Sequence, residues 1–178
     1  MNPTDLIYSH LVKDTPSTYF LNGVIQIAQK LGIDPNWIMG VMYIETAGTF
    51  SPSIQNPKSG ATGLIQFMPA TAVGLGTTTA ELKTMSNVQQ LPYVYKYLYP
   101  YRRKINSFVD CYFAVFFPAA IGKNSDYIIQ TSRLSAALIA SQNPLFDLNK
   151  DKQITVYEVE TALLGKINPQ YHNALKKK

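Results

Sequence analysis

The stretch Asp34–Thr71 reads DPNWIMGVMYIETAGTFSPSIQNPKSGATGLIQFMPAT. Asp34-Pro35 is a helix start, an N-cap followed by proline at the first helical position. Gly48 is a natural stop. Between them, Ile38, Val41 and Met42 share one helical face with Glu45. Glu45 is therefore predicted on the face that the helix buries, in its last turn, where the helix dipole is negative. Both conditions disfavour a charged carboxylate and push its pKa up. A carboxyl group that keeps its proton near neutrality is what a general acid needs. Two blander readings stand beside this one: a Glu that reaches solvent at the helix end, or a buried Glu paired with an Arg. The second half of the stretch, Ser59–Pro69, is Gly-rich and then apolar. Gly60-Ala61-Thr62-Gly63 predicts a tight turn into a short extended or irregular piece, Leu64-Ile65-Gln66-Phe67.

Outward from this stretch the sequence predicts a mainly helical chain. Asn2-Pro3 starts a short helix to about Val12. Thr15-Pro16 starts a longer one with Leu21, Val24, Ile25, Ala28 and Leu31 on one face and Gly32 as its stop. Pro69 opens a short helix that Gly74 and Gly76 end. Thr78–Glu81 and Ser86–Gln89 both fit capping boxes. The second opens a tyrosine-rich helix to about Tyr99, which Pro92 should kink or shift. Ser107–Phe117 predicts an apolar helix ended by Pro118, and Asp126–Ser141 a further helix. Of the twelve tyrosines, those at 93, 95, 97, 99 and 101 alternate at a period that no helix face can collect, so one or two are expected to line a groove.

Composition sets the class. The chain has 178 residues, 46% hydrophobic and 15% charged, enough for one packed domain and unlike a disordered chain. No apolar run reaches the length of a membrane span. The N-terminal residues lack a basic start followed by an apolar stretch, so no secretory signal is expected. The single cysteine, Cys111, excludes an internal disulfide or a cysteine-rich metal site and reads as core. A net charge of +5 suits an anionic partner or surface, but no nucleic-acid-binding motif accompanies it. His10 and His172 have no motif around them, so serine-hydrolase and metallohydrolase chemistry lack parts.

Asp147–Glu158 reads DLNKDKQITVYE. Asp147, Asn149, Asp151, Thr155 and Glu158 fall at positions one, three, five, nine and twelve of a twelve-residue EF-hand loop. Gln153 would add its backbone carbonyl at position seven. A hard cation such as calcium needs that many oxygens. Lys152 stands where glycine makes the sharp turn, at a cost of roughly 1 kcal/mol for a left-handed non-Gly residue. An exiting helix, Val156–Leu164 with Gly165 as its stop, fits the pattern, whereas Pro144 spoils an entering one. The alternative is an acidic loop that caps this helix without metal. The expected organisation is a mainly helical domain over 1–142, the EF-hand-like loop and helix over 143–166 packed on the same domain, and a basic tail over 167–178.

Taken together, Glu45-Thr46, Phe50-Ser51-Pro52, Ser59, the turn Gly60–Gly63 and the run Gly63-Leu64-Ile65-Gln66-Phe67-Met68-Pro69 resemble the lysozyme-like lytic transglycosylases of the soluble-lytic-transglycosylase (SLT) family. The match covers about 35 residues. The resemblance implies a mainly α, lysozyme-like α+β fold, with a small irregular or β piece beside the groove. It also implies cleavage of the β-1,4 bond between N-acetylmuramic acid and N-acetylglucosamine in peptidoglycan. Glu45 would be the acid and then the base. Gln66 and the backbone of Gly63, Leu64 and Ile65 would line the groove, Met68 would pack beside the acid, and Ser59 would orient it. No cofactor is implied for catalysis. The combination of this motif with a calcium-type loop is similar to EF-hand-bearing transglycosylases and phage-encoded cell-wall enzymes. With no secretory signal expected, the enzyme is expected to reach the wall with a phage particle, a lysis partner or a secretion machine, and to act there as a monomer on glycan strands.

One departure concerns the later Ala-Tyr-Asn-Ala-Gly element of the family, whose tyrosine helps hold the catalytic site. Phe117-Pro118-Ala119-Ala120 stands there instead. Either Tyr112, a turn earlier, takes over or that hydrogen bond is missing. Two rivals remain open: a muramidase that uses water, which usually needs a second carboxylate, for which Asp110 and Asp126 are candidates, and a non-catalytic wall-binding module that keeps the fold.

Overall fold

The computed structural model describes residues 1–13 and 16–176. It is mainly helical, as the sequence predicts. The chain divides into two compact units, Met1–Arg103 and Lys104–Lys178. Thr15, proposed to open the first long helix, and Lys177 and Lys178 of the basic end lie outside the described residues.

In the first unit the N-terminal residues form two 3-10 turns, Pro3–Asp5 and Ser9–Leu11, rather than one helix. Tyr8 interrupts them with a left-handed backbone. Its ring stacks flat on Tyr43 at 3.7 Å between centroids. Helix α1, Ser17–Leu31, buries Phe20, Leu21, Val24, Ile27, Ala28 and Leu31, and ends where Gly32 turns left-handed at φ 72°. Helix α2, Pro35–Glu45, starts as predicted, with the Asp34 carboxylate accepting the Asn36 N–H at 2.9 Å. Two short helices come next, α3 at Pro69–Gly74 and α4 at Thr79–Thr84. Helix α5 covers Asn87–Leu98. Both predicted capping boxes, at Thr78 and Ser86, are formed. The hydroxyls of Thr77 and Thr78 hold the Glu81 carboxyl below its ordinary range.

Helix α1 packs on both α2 and α5. The approach to α5 is close at Gly23, where an added Cβ would meet Leu91 Cδ1 at 2.5 Å. Pro92 lies inside α5 without ending it. Pro92 has no N–H, so the Val88 carbonyl lacks its normal helical donor. Both residues are exposed, so water can serve that oxygen.

The second unit is built on α6, Phe108–Phe116, capped by Ser107 and packed on α8, Val156–Lys166. Cys111 is fully buried there, and burial, with the Asp110 charge, pushes its thiol up to about 12. Asp110 is a tie rather than an acid. It accepts the Asn106 N–H at 3.0 Å and the Gly122 N–H at 2.7 Å.

Three predicted features change. Only Ala136–Gln142, helix α7, is helical in the segment read as Asp126–Ser141. Upstream of it, Ile129 N–H donates to the Ile154 carbonyl at 2.8 Å and Val156 N–H to the Tyr127 carbonyl at 3.1 Å, around an antiparallel bridge between Ile128 and Thr155. Two β-branched residues prefer that extended pairing. Helix α8 also runs through Gly165 to Lys166. A short helix α9, His172–Leu175, then forms, with the His172 ring hydrogen-bonded at the Leu164 and Ile167 carbonyls and Leu175 buried. The segment read as a basic tail therefore packs its apolar residues.

Replacing Asp110 by Ala removes two charge-assisted hydrogen bonds to backbone N–H groups. Urea denaturation is expected to show a loss of about 2 kcal/mol.

Candidate active site

The candidate acid, Glu45, is the last residue of α2 and is half-buried. The chain reverses tightly directly after it. Thr46 is fully buried, donates its hydroxyl to the Met42 carbonyl at 2.7 Å and accepts the Phe50 N–H at 2.9 Å. Gly48 N–H closes on the Tyr43 carbonyl at 2.7 Å. The reversal places Ala47 at φ 49° and Phe50 at φ 52°, left-handed conformations that cost roughly 1–2 kcal/mol each in a non-Gly residue. Phe50 is held there by burial against Phe20 and Tyr43. Helix end and loop are thus fixed as one piece around Glu45.

The Gly-rich run forms a compact irregular piece, with antiparallel bridges pairing Thr62 with Gln55 and with Phe67. Thr62 and Phe67 exchange backbone hydrogen bonds at 3.0 and 2.9 Å, and Gly63 N–H donates to the Ile54 carbonyl at 2.9 Å. Gln66 bulges from this ring at φ 52°. Its amide nitrogen donates to the carbonyls of Ile54 at 3.3 Å and Gly63 at 3.1 Å. Its carbonyl oxygen is the end these bonds do not use, and the residue is half-buried.

A residue that sequence reasoning passed over supports this loop. Gln90, on α5, is fully buried. Its oxygen accepts the Leu64 N–H at 3.0 Å, and its nitrogen donates to the carbonyls of Pro52 and Leu82, both at 2.8 Å. A Cβ at Gly63 would collide with this amide, and Gly63 also sits at φ 86°, so both space and backbone demand glycine. The available signal was a pair of amides, Asn87 and Gln90, on the same face of α5 as Leu91, Val94 and Leu98.

Tyr97 is the second such residue. Half-buried on α5, it meets Phe67 edge-on at 6.2 Å and Tyr101 at 6.4 Å. Burial, then Tyr101, then the charge of Glu45 push its phenol up to about 12. The phenol therefore keeps its proton, and it lies within electrostatic reach of Glu45. Its ring thus borders the Gly-rich run at Phe67, and the charge of Glu45 is felt there.

The other predicted residues take varied places. The side chains of Leu64 and Ile65 are in the core, so only their backbone can face a ligand, and the Leu64 N–H is already used. Ser59 is exposed, with its oxygen accepting the Ala61 N–H at 3.3 Å. Met68 is 48% exposed. Tyr112 and Phe117 belong to the second unit, Tyr112 buried against Phe116 and Phe146, and Phe117 half-buried at the end of α6.

In the calcium-like loop, Lys152 takes φ 67°, the left-handed turn required at its position. Asp147 accepts the N–H groups of Asp151 and Lys152, each at 3.1 Å. The buried Glu158 accepts the Leu148 N–H at 3.1 Å and caps α8 through Thr155. Among the described residues, no three His, Cys, Asp or Glu side chains converge as a metal-holding group.

Residues 23–110 match the family described as Transglycosylase SLT domain. The matched stretch holds Glu45, the Gly-rich run, Gln90 and Tyr97. That family consists of glycosidic-bond-cleaving transglycosylases acting on peptidoglycan, and the match supports a lysozyme-like lytic transglycosylase. A search of curated proteins finds no match. Among the described residues no helix is long and apolar enough to cross a membrane.

Replacing Gln90 by Ala leaves one N–H and two carbonyls of the loop's surroundings without their partner. The expected loss is about 3 kcal/mol in urea denaturation, with faster amide hydrogen exchange at Leu64.

Proposed function

We propose that the chain cleaves the β-1,4 bond between N-acetylmuramic acid and N-acetylglucosamine with formation of a 1,6-anhydromuramoyl end. The supporting observation is the half-buried Glu45, joined through Tyr97 to the Gly-rich run within the SLT-matching stretch. Protonated Glu45 donates to the glycosidic oxygen, and the bond from that oxygen to the muramoyl anomeric carbon breaks. The leaving sugar departs as a free 4-hydroxyl. The muramoyl 6-oxygen then bonds to the anomeric carbon, and its proton returns to the Glu45 carboxylate. No water is consumed and the acid is regenerated. Tyr97, protonated throughout, stabilises the carboxylate form between the two steps. The Gln66 oxygen accepts from a sugar hydroxyl or acetamido N–H.

An internal nucleophile suits the carboxylates of the first unit. A hydrolase of this type usually needs a second carboxylate about 5 to 9.5 Å away. Of the other described carboxylates in the first unit, Asp5 accepts the Asn2 N–H, Asp34 caps α2 and Glu81 caps α4. In the second unit Asp110 is committed to backbone groups, and Asp126 is exposed.

Digestion of purified peptidoglycan followed by mass spectrometry is the test. Wild type is expected to release fragments one water lighter than reducing-end products, and Glu45→Gln to lose activity by roughly a thousandfold. Reducing-end products would instead assign a muramidase. Wild type and Glu45→Gln equally inert would assign a binding module.

We further propose that Asp147–Glu158 takes calcium in a structural role. The left-handed Lys152 and the order of oxygen-bearing residues support this reading. Asp147, Asn149, Asp151, Thr155 and Glu158 would be the side-chain ligands and Gln153 would give its carbonyl. Calcium would draw the carboxylates from the loop's own N–H groups, which hold them in its absence. Calorimetric titration of the demetallated protein is expected to show one site that Asp147→Ala abolishes, with stability raised by about 2.7 kcal/mol at a hundredfold excess over Kd. A flat titration would leave the loop as a metal-free cap for α8.

A further inference from the structure

A cleft of about 680 Å³ opens between α1 and the start of α5 in the first unit. Tyr19, Asn22 and Gln26 line it from α1, and Ser86, Asn87 and Val88 from α5. None of these residues belongs to the candidate active site. Tyr19, Asn22 and Gln26 are spaced by three and four residues, so they share one face of α1. The close approach at Gly23 and Leu91 brings that face beside Asn87.

Three features of this cleft point to one kind of ligand. Asn87 is only 1% exposed, and its side-chain oxygen is buried without a hydrogen-bond partner. Leaving such an acceptor unmade is costly, and a turn of the Asn87 side chain toward the cleft it borders would offer the oxygen to a donor from outside the protein. Tyr19 is 67% exposed and offers a flat aromatic face at the rim. Among the described residues, none that lines it is charged. Phosphates, acidic peptides and cations find no described side chain there to pair with. What remains is a neutral ligand rich in hydroxyl and amide groups, with an apolar ring face for Tyr19. Asn22 and Gln26 each carry a donor and an acceptor, as vicinal hydroxyls require. One water could serve the Asn87 oxygen, but the cleft holds on the order of twenty. Its volume lies in the range of small-ligand sites.

We propose that this cleft is a second saccharide-binding site, taking neutral N-acetylhexosamine units of a glycan strand and holding the strand rather than cutting it. The acetamido N–H or a ring hydroxyl donates to the Asn87 oxygen, the sugar ring lies on Tyr19, and Asn22 and Gln26 bind further hydroxyls. The choice of a glycan ligand rests on the peptidoglycan reading above.

The probe is N-acetylglucosamine tetramer, titrated into the full-length, isotope-labelled Glu45→Gln protein and followed by amide NMR shifts. Two separate groups of shifting signals are expected, one over Gly63–Gln66 and one over Asn22, Gln26 and the side-chain amide of Asn87. Tyr19→Ala and Gln26→Ala, both at exposed positions, are expected to weaken the second group about tenfold and leave the first unchanged. In the protein with Glu45 restored, Tyr19→Ala should slow digestion of whole sacculi while cleavage of short soluble fragments stays as it was. Shifts confined to Gly63–Gln66 would overturn the second site and leave the enzyme reading standing. So would a second group that ignores both substitutions. Shifts confined to the cleft would support the second site and count against the proposed active site. The absence of both groups would overturn the two together.

Discussion

The candidate active-site loop depends on one buried amide. Gln90 joins Leu64, Pro52 and Leu82, three backbone groups from three separate segments. The Gly-rich loop cannot satisfy these groups by itself, because its own ring of hydrogen bonds already uses Thr62, Gly63 and Phe67. A primary amide is the smallest side chain that can accept once and donate twice. Gly63 then has to be glycine, since a methyl group would occupy the amide's place. The motif's glycine and a glutamine 27 residues later are two halves of one constraint.

Strain gathers where that constraint is applied. Ala47, Phe50 and Gln66 are non-glycine residues with left-handed backbones, and all three flank Glu45 or the Gly-rich run. Such conformations persist when the surroundings over-determine them. Here the surroundings are the buried Thr46 hydroxyl, which links Met42 to Phe50, and the aromatic cluster of Phe20, Tyr43 and Phe50. The result is an acid whose backbone has few alternatives, beside a phenol that stays protonated. In the proposed reaction such fixed surroundings would suit Glu45, because little reorganisation would be needed between giving and recovering a proton.

Helix α5 joins two kinds of polar burial. Gln90 is satisfied three times over, whereas the Asn87 oxygen, three residues earlier, has no partner. Both lie on the buried face, so the difference is not one of helix position. Gln90 meets the Leu64 N–H and the Pro52 and Leu82 carbonyls, whereas Asn87 borders a cleft. An unmade acceptor inside an otherwise well-bonded unit marks a place where the fold itself does not finish the bonding.

By itself the sequence determined whatever depends on neighbours along the chain. The α2 start at Asp34-Pro35, the two capping boxes, the stop at Gly32 and the start of α6 next to Ser107 all formed where predicted, because each uses groups two to four residues apart. The likeness to the SLT domain around Glu45 was legible for the same reason, since its residues lie in one contiguous run, and residues 23–110 match that family. Long-range pairing required the tertiary structure. Ile128 and Ile129 look helical until Ile154 and Thr155 offer them an extended partner. Gly165 looks like a stop until α8 continues through it. Gln90 and Tyr97 read as ordinary helix residues until Leu64 and Glu45 are set beside them. A hydrogen bond or a charge acts through a few ångströms of space, and only folding decides which distant residues come within that reach.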